Sequence, residues 1–320
     1  MDTVEIKPVF KKDYVAVVLH SSNYYTPYTG ITISSLLENI SPDVNYDINI
    51  TSLDMSEPNI YALQKLVRGR KNVSLRVHNV SEYYANYNFF TRIRFGLENW
   101  ARVIQPFLFK DYDKIADLDC DICVDADVAE LYATELGDNY IAAAKDINVP
   151  GSYARGEIFK EYIDNVLEMQ NPHNYFQTGV TVMNLRKIRE DFEPEFLLEK
   201  AQEKEFRFIE QDLFNMLCEK KSVTLDMKWN YQIDTYNALP WLCKEGHPDF
   251  YNSIIEAGKA PKIIHYAGHV KPWNSVFMQF ADKYWDYASR TPFYEILISR
   301  CTEEYNKAAE ELLESRGIKI

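Results

Sequence analysis

Residues Tyr14 to Leu19, YVAVVL, form an unbroken apolar run rich in β-branched side chains. A strand of that composition is buried on both faces, so the chain must supply cover for each of them. It does so at once. A helical pattern spans Pro27 to Ile40, with proline in the first turn where helices tolerate it, and Pro58 to Arg70 repeats the pattern. Tyr46 to Leu53 and Val73 to Val80 read as further strands. Strands alternating with helices predict an α/β fold, a mainly parallel, Rossmann-like sheet flanked by helices. Ligands of such sheets gather at the carboxyl ends of the strands, here His20 to Tyr25 and the acidic segment near residue 120.

That segment, Lys114 to Leu131 (KIADLDCDICVDADVAEL), opens as a strand and places Asp117, Asp119 and Asp121 at alternate positions. In extended backbone the three carboxylates share one face. Two carboxylates about 6 Å apart repel by roughly 2 to 3 kcal/mol at an effective dielectric near 20, so either one keeps its proton or a cation lies between them. Oxygen ligands of this kind suit Mg²⁺ or Mn²⁺. A calcium loop of the EF-hand type is excluded, because the positions that need glycine and glutamate hold Ile122 and Val128. From these residues alone, an aspartate-nucleophile phosphatase and a solvated acidic strand end both remain open.

Thr91 to Pro106 reads as a helix carrying Arg92, Arg94 and Arg102, Tyr140 to Ala144 as a strand, Phe176 to Leu185 as another, and Glu210 to Glu219 as a helix. Asn148 to Tyr175 reads as an insertion with one helix, about Glu157 to Met169, bracketed by Pro150, Gly151 and Pro172. The aromatic stretch Tyr83 to Phe90 is either a loop packing its rings onto the body or a stacking surface for a base or sugar. Near the end of the body, KIIHYAGHVKPW (Lys262 to Trp273) sets a histidine at a strand end ahead of a lysine. His265 is either a structural, hydrogen-bonded histidine or the imidazole that completes a cation site begun by two carboxylates.

At 320 residues the chain can bury one large α/β domain with an extension, taken as residues 1–274 and a helical tail, 275–320. Forty-eight acidic against 35 basic residues, a net charge of −13, argue against nucleic acid as a partner. From Ala281 onward acidic residues outnumber basic ones, so the tail lacks an electrostatic membrane anchor. There is no apolar run near the ~20 residues of a transmembrane segment and no signal-peptide core, which predicts a cytoplasmic protein with at most weak peripheral contact with the inner face of the membrane. The five cysteines are scattered, and reduced thiols are expected.

Taken together, these motifs resemble those of the family 8 retaining glycosyltransferases, the group with the GT-A fold that includes bacterial lipopolysaccharide galactosyl- and glucosyltransferases and glycogenin. DYDKIADLDCDICVDADVAEL is similar to the family's Asp-x-Asp segment, YFQTGVTVMNLRK (Tyr175 to Lys187) to its donor-sugar strand, IEQD (Ile209 to Asp212) to its Asp-Gln-Asp segment, and HYAGHVKPW to its His-Tyr-x-Gly-x-x-Lys-Pro-Trp. The resemblance implies a UDP-sugar donor, UDP-glucose or UDP-galactose, a glycan or glycolipid acceptor, and Mn²⁺ or Mg²⁺ on the diphosphate. It implies Asp119, Asp121 and His265 as metal ligands, with Asp127 on the acidic position beyond. Gly268 and Lys271 would hold the diphosphate, Tyr25 would stack on the base, and Arg102 and Asp146 would contact sugar hydroxyls.

The chain departs from the family pattern at several positions. Ser22 stands where aspartate usually reads the uracil edge, Gln177 replaces asparagine, and Glu210 replaces aspartate. The two longer side chains imply a reshaped sugar pocket. Asp117 stands where the family strand is aromatic or apolar. A relative that binds the nucleotide sugar or glycan without turnover is the alternative these departures leave. For retention, the neutral Gln211 is a poor nucleophile, which favours attack by the acceptor on the face the diphosphate leaves, with Gln211 stabilising positive charge and Glu210 and Asp146 beside it.

Overall fold

The computed structural model describes residues 6–84, 87, 89–90, 96–234, 238–240 and 247–315. Strands β1 (Tyr14–His20), β2 (Asn45–Ser52), β3 (Val73–Asn79), β4 (Lys114–Leu118) and β5 (Ile122–Val124) lie in the first half of the chain. They are followed by β6 (Ile141–Lys145), β7 (Phe176–Asn184), β8 (Ser222–Thr224), β9 (Tyr231–Gln232) and β10 (Ile263–His265). Seven of them form one sheet in the order β3-β2-β1-β4-β7-β6-β8, and β5-β10-β9 form a second. In the large sheet only β7 runs against its neighbours, pairing antiparallel with β4 and β6.

The period of β1 explains its composition. Val15, Val17 and Leu19 enter the core that contains helix Thr26–Asn39, while Ala16 and Val18 enter the opposite core with helix Ala101–Leu108. Helix Thr26–Asn39 is itself covered by the tail helices Ala281–Ser289 and Tyr294–Ser315. Gly30 permits this, because a Cβ there would collide with the ring of Phe293.

Two regions differ from the sequence expectation. Arg92 and Arg94 lie outside the described residues, and the helix that carries Arg102 begins at Ala101 after a 3-10 turn, Leu97–Trp100. The stretch from Asn148 is more helical than expected, with helices Asn148–Arg155 and Glu157–Glu161 and a π-helical turn Tyr162–Leu167. Pro150 and Gly151 therefore sit inside a helix instead of bracketing one. The Asp146 carboxylate explains this, since its Oδ1 accepts from the amides of Asn148 at 2.6 Å and Val149 at 2.8 Å and so nucleates a helix whose first turn tolerates proline.

Candidate active site

The chain leaves β4 after Leu118, so the three aspartates do not share one extended face. Asp117 alone stays within the strand, fully buried. It accepts hydrogen bonds from Arg102 Nε at 3.0 Å and Gln105 Nε2 at 2.6 Å, and its Oδ2 lies 3.1 Å from His20 Nε2. Burial works against ionisation of Asp117, but Arg102 and His20 outweigh it and hold the carboxyl below the usual range. Its role is to anchor Arg102. That guanidinium, 3% exposed, also donates Nη1 to Glu210 Oε1 at 2.9 Å and Nη2 to Asp119 Oδ1.

Asp119 and Asp121, just past the strand end, converge with His265 from the end of β10. His265 Nε2 lies 3.4 Å from Asp119 Oδ2 and 3.3 Å from Asp121 Oδ1. His265 Nδ1 lies 2.9 Å from Asn230 Oδ1, and donating there it leaves Nε2 to face the carboxylates. Burial would push this imidazole down, yet Asp121 and Asp119 raise it to about 9. Lys271 Nζ bonds the outer oxygen of Asp121 and the Tyr266 carbonyl. Two hard carboxylate oxygens and an imidazole nitrogen, within 4.8 Å of one another, are a donor set that fits a Mn²⁺ or Mg²⁺ ion.

Residues that carry no motif of their own complete the cluster. Gly179 of β7 accepts from the Asp119 amide at 2.7 Å, and any Cβ there would run into Asp119 and His265. Asn230 donates Nδ2 to Gln177 Oε1 at 2.6 Å while its Oδ1 faces His265. Gln177 Oε1 also accepts from the Gly179 amide at 2.6 Å, so it is committed to positioning this wall. Gly179 and Gln177 have a sequence signal, their place in YFQTGVTVMNLRK, and Asn230 has none.

Glu210, Gln211 and Asp212 open the helix Glu210–Cys218 behind Ile209, whose φ of +40° is strained for a β-branched residue. Burial pushes Glu210 up to about 7, against Arg102, and its Oε2 is buried without a hydrogen-bond partner. Gln211 Nε2 donates to Asp146 Oδ2 at 3.3 Å and to Tyr175 Oη at 3.2 Å, and its Oε1 accepts from the Thr178 amide at 3.1 Å. Tyr175 in turn donates to Asp212 Oδ1 at 2.5 Å, and Asp212 Oδ2 accepts from Tyr162 at 2.6 Å and the Phe208 amide at 2.8 Å. The phenol proton is thus spent on Asp212, leaving its oxygen as an acceptor for the Gln211 amide.

At the end of β1, Ser22 Oγ accepts from the Tyr25 amide at 3.2 Å. The Tyr25 ring packs on Tyr28 at 4.8 Å and edge-on to Trp273 at 6.1 Å, which brings the first loop beside the Lys271 segment. Gly268 is buried in that segment. Asp127 is occupied structurally, capping the Ala129 amide at 2.9 Å and accepting from Tyr46 Oη at 2.7 Å. Cys120, Cys123, Cys218 and Cys301 are free thiols, and Cys243 lies outside the described residues.

Residues 16–276 match the sequence profile of the family described as Glycosyl transferase family 8. The glycosyltransferase GlyF of Streptococcus pneumoniae is 24% identical over 298 residues, 91% of this chain and 65% of its own. GlyE of the same organism is 26% identical over 185 residues, 56% of this chain and 38% of its own. The chain therefore spans less than two thirds of the length of these relatives. Among solved structures, the bifunctional glycosyltransferase WbbM aligns with a TM-score of 0.80 and 30% identity, covering 92% of this chain and 53% of WbbM. The galactosyltransferase LgtC, solved with donor and acceptor sugar analogues, aligns at 0.70 and 22%, covering 87% of this chain and 96% of LgtC. The mainly parallel sheet with flanking and C-terminal helices is the GT-A architecture of these neighbours.

Proposed function

Because this chain belongs to glycosyl transferase family 8, we propose that it moves a hexose from UDP-glucose or UDP-galactose to a glycan or glycolipid acceptor with retention at the anomeric carbon. The observation that carries this reading is the convergence of Asp119, Asp121 and His265 beside Lys271. A divalent cation held by those three would supply Lewis-acid chemistry at the donor's diphosphate. Lys271 neutralises phosphate charge as the leaving group departs, and Tyr25, with Ser22 beside it, receives the base. Arg102, held by Asp117, binds the sugar together with Asp146, with Glu210 bonded to the same guanidinium.

Gln211 is locked by Thr178, Asp146 and Tyr175. A neutral amide held in that way stabilises developing positive charge on the sugar better than it attacks it, which supports acceptor attack on the departing face. In a thermal-shift screen of nucleotide sugars with and without Mn²⁺, UDP-hexoses should stabilise the protein only when the metal is present. Slow donor hydrolysis should accompany that shift. Stabilisation without any turnover would instead identify a binding protein, and no response to any nucleotide sugar would remove the proposal.

A further inference from the structure

Behind the turn Met227–Asn230 lies a concavity of about 620 Å³, within the range of small-molecule sites. The turn partitions two chambers, since Met227 and Lys228 line the concavity while Asn230 bonds His265 and Gln177 on the other side. The end of β6 is divided in the same way. Lys145 lines the concavity, its carbonyl held by Gln232 Nε2 at 2.9 Å, and the next residue, Asp146, meets Gln211.

Lys145 is half-buried, with Nζ 5.7 Å from the centre of the Phe250 ring. Burial pushes its pKa down, and among the described residues no carboxylate counters the shift. Lys271, Lys283 and Lys262 pair with Asp121, Asp125 and Glu130, whereas Lys114, also half-buried, lies over the Tyr132 ring and bonds the Thr134 carbonyl. Of the three acids on the lining, Asp226 accepts from the Lys228 amide at 2.8 Å and Glu256 pairs with Lys259 at 2.6 Å, and neither they nor Asp249 form an ion pair with Lys145. His247 lines the same wall with its ring 4.1 Å from that of His173, whose Nδ1 is buried without a partner. A half-buried ammonium with no counter-ion among the described residues, above an aromatic face and near the His247 imidazole, suits a sugar ring bearing an anion.

We propose that this concavity is an acceptor subsite for a sugar unit carrying an acidic group, carboxylate or phosphate, with Lys145 as its counter-ion and Phe250 under the ring. It rests on the transferase reading for the word acceptor, but its binding chemistry is read without any donor. Met227 supplies the reporter. The full chain, labelled at methionine methyls, is titrated with glucuronate, glucose 6-phosphate, glucose and inorganic phosphate while the Met227 resonance is followed. Glucuronate or glucose 6-phosphate should shift it saturably, with Kd on the order of 1 mM, at least tenfold tighter than glucose or inorganic phosphate. Lys145→Met should weaken that binding at least tenfold, with the remaining methionine resonances reporting an intact fold and Lys145→Gln as a second variant.

No saturable shift, an equal response to inorganic phosphate, or undiminished binding by both variants overturns the subsite. Metal-dependent donor hydrolysis, measured separately on the unaltered protein, tests the transferase reading. Hydrolysis with a silent Met227 sinks only the subsite, whereas a Met227 response without hydrolysis sinks the transferase reading and leaves an acidic-sugar binding site.

Discussion

Asp117, Gly179 and Tyr175 act on the proposed cation and sugar positions through other side chains. Asp117 compensates the buried Arg102, and removing one member of such a pair leaves a charge without its partner. Asp117→Asn should lower stability by about 3 kcal/mol, read from urea unfolding. Gly179→Ala should abolish the Mn²⁺-dependent part of the UDP thermal shift while the metal-free melting temperature moves by only a few degrees, because its Cβ would displace Asp119 and His265. Tyr175→Phe removes the acceptor that orients Gln211, and kcat for donor hydrolysis should fall roughly tenfold with little change in KM. An unchanged kcat in that variant would mean that Thr178 and Asp146 orient the amide without help. The sequence made the motif residues legible because each sits in a dense cluster of chemistry-bearing types. Asn230 was opaque for the opposite reason, since its partner lies far along the chain and no local pattern marks a polar residue that serves another, and Asp117, though visible beside Asp119 and Asp121, carried no sign that it anchors Arg102.

At the level of strands and helices, legibility followed length. β1, β2 and β3 are long enough to display burial, whereas β8 and β9, three and two residues long, show no periodicity. The helix from Asn148 was hidden because its nucleation depends on Asp146 and its proline reads as a boundary when the cap is unseen. Beside the long strands, β3 carries a pH-sensitive pairing. His78 Nε2 meets Asn49 Oδ1 of β2 at 2.9 Å, and burial, with Arg76 adding to it, lowers this histidine from 6.5 to about 4. Between those values the unfolded chain binds a proton that the folded chain refuses, so stability is full above pH 6.5 and is lost as pH falls toward 4. Partial exposure limits the effect to about 2 kcal/mol. His78→Gln should accordingly lose less melting temperature than the parent between pH 6.5 and pH 4.5, about 2 to 4 °C less.

For the whole molecule, the tail helices share a core with the sheet. Tyr284, Phe293 and Leu297 are buried in the cluster that contains β1 and helix Thr26–Asn39. Three such side chains contribute about 6 kcal/mol together, comparable with the entire stability of many domains. A chain cut before Ala281 should therefore lack a cooperative melting transition, checked by calorimetry, and an unchanged melt would show the tail to be dispensable. In the large sheet, only the reversed strand β7 brings its beginning, not its end, to the ligand side, where Phe176 stands opposite Lys145 and Val180 opposite Leu118. All nine of its residues are buried, so neither face tolerates the other's side chains. Slipping this strand by one position would exchange Gln177 and Thr178 between the two faces. The helical stretch before Phe176 can thus change in length without disturbing those faces, whereas the strand itself can change only by substitution in place.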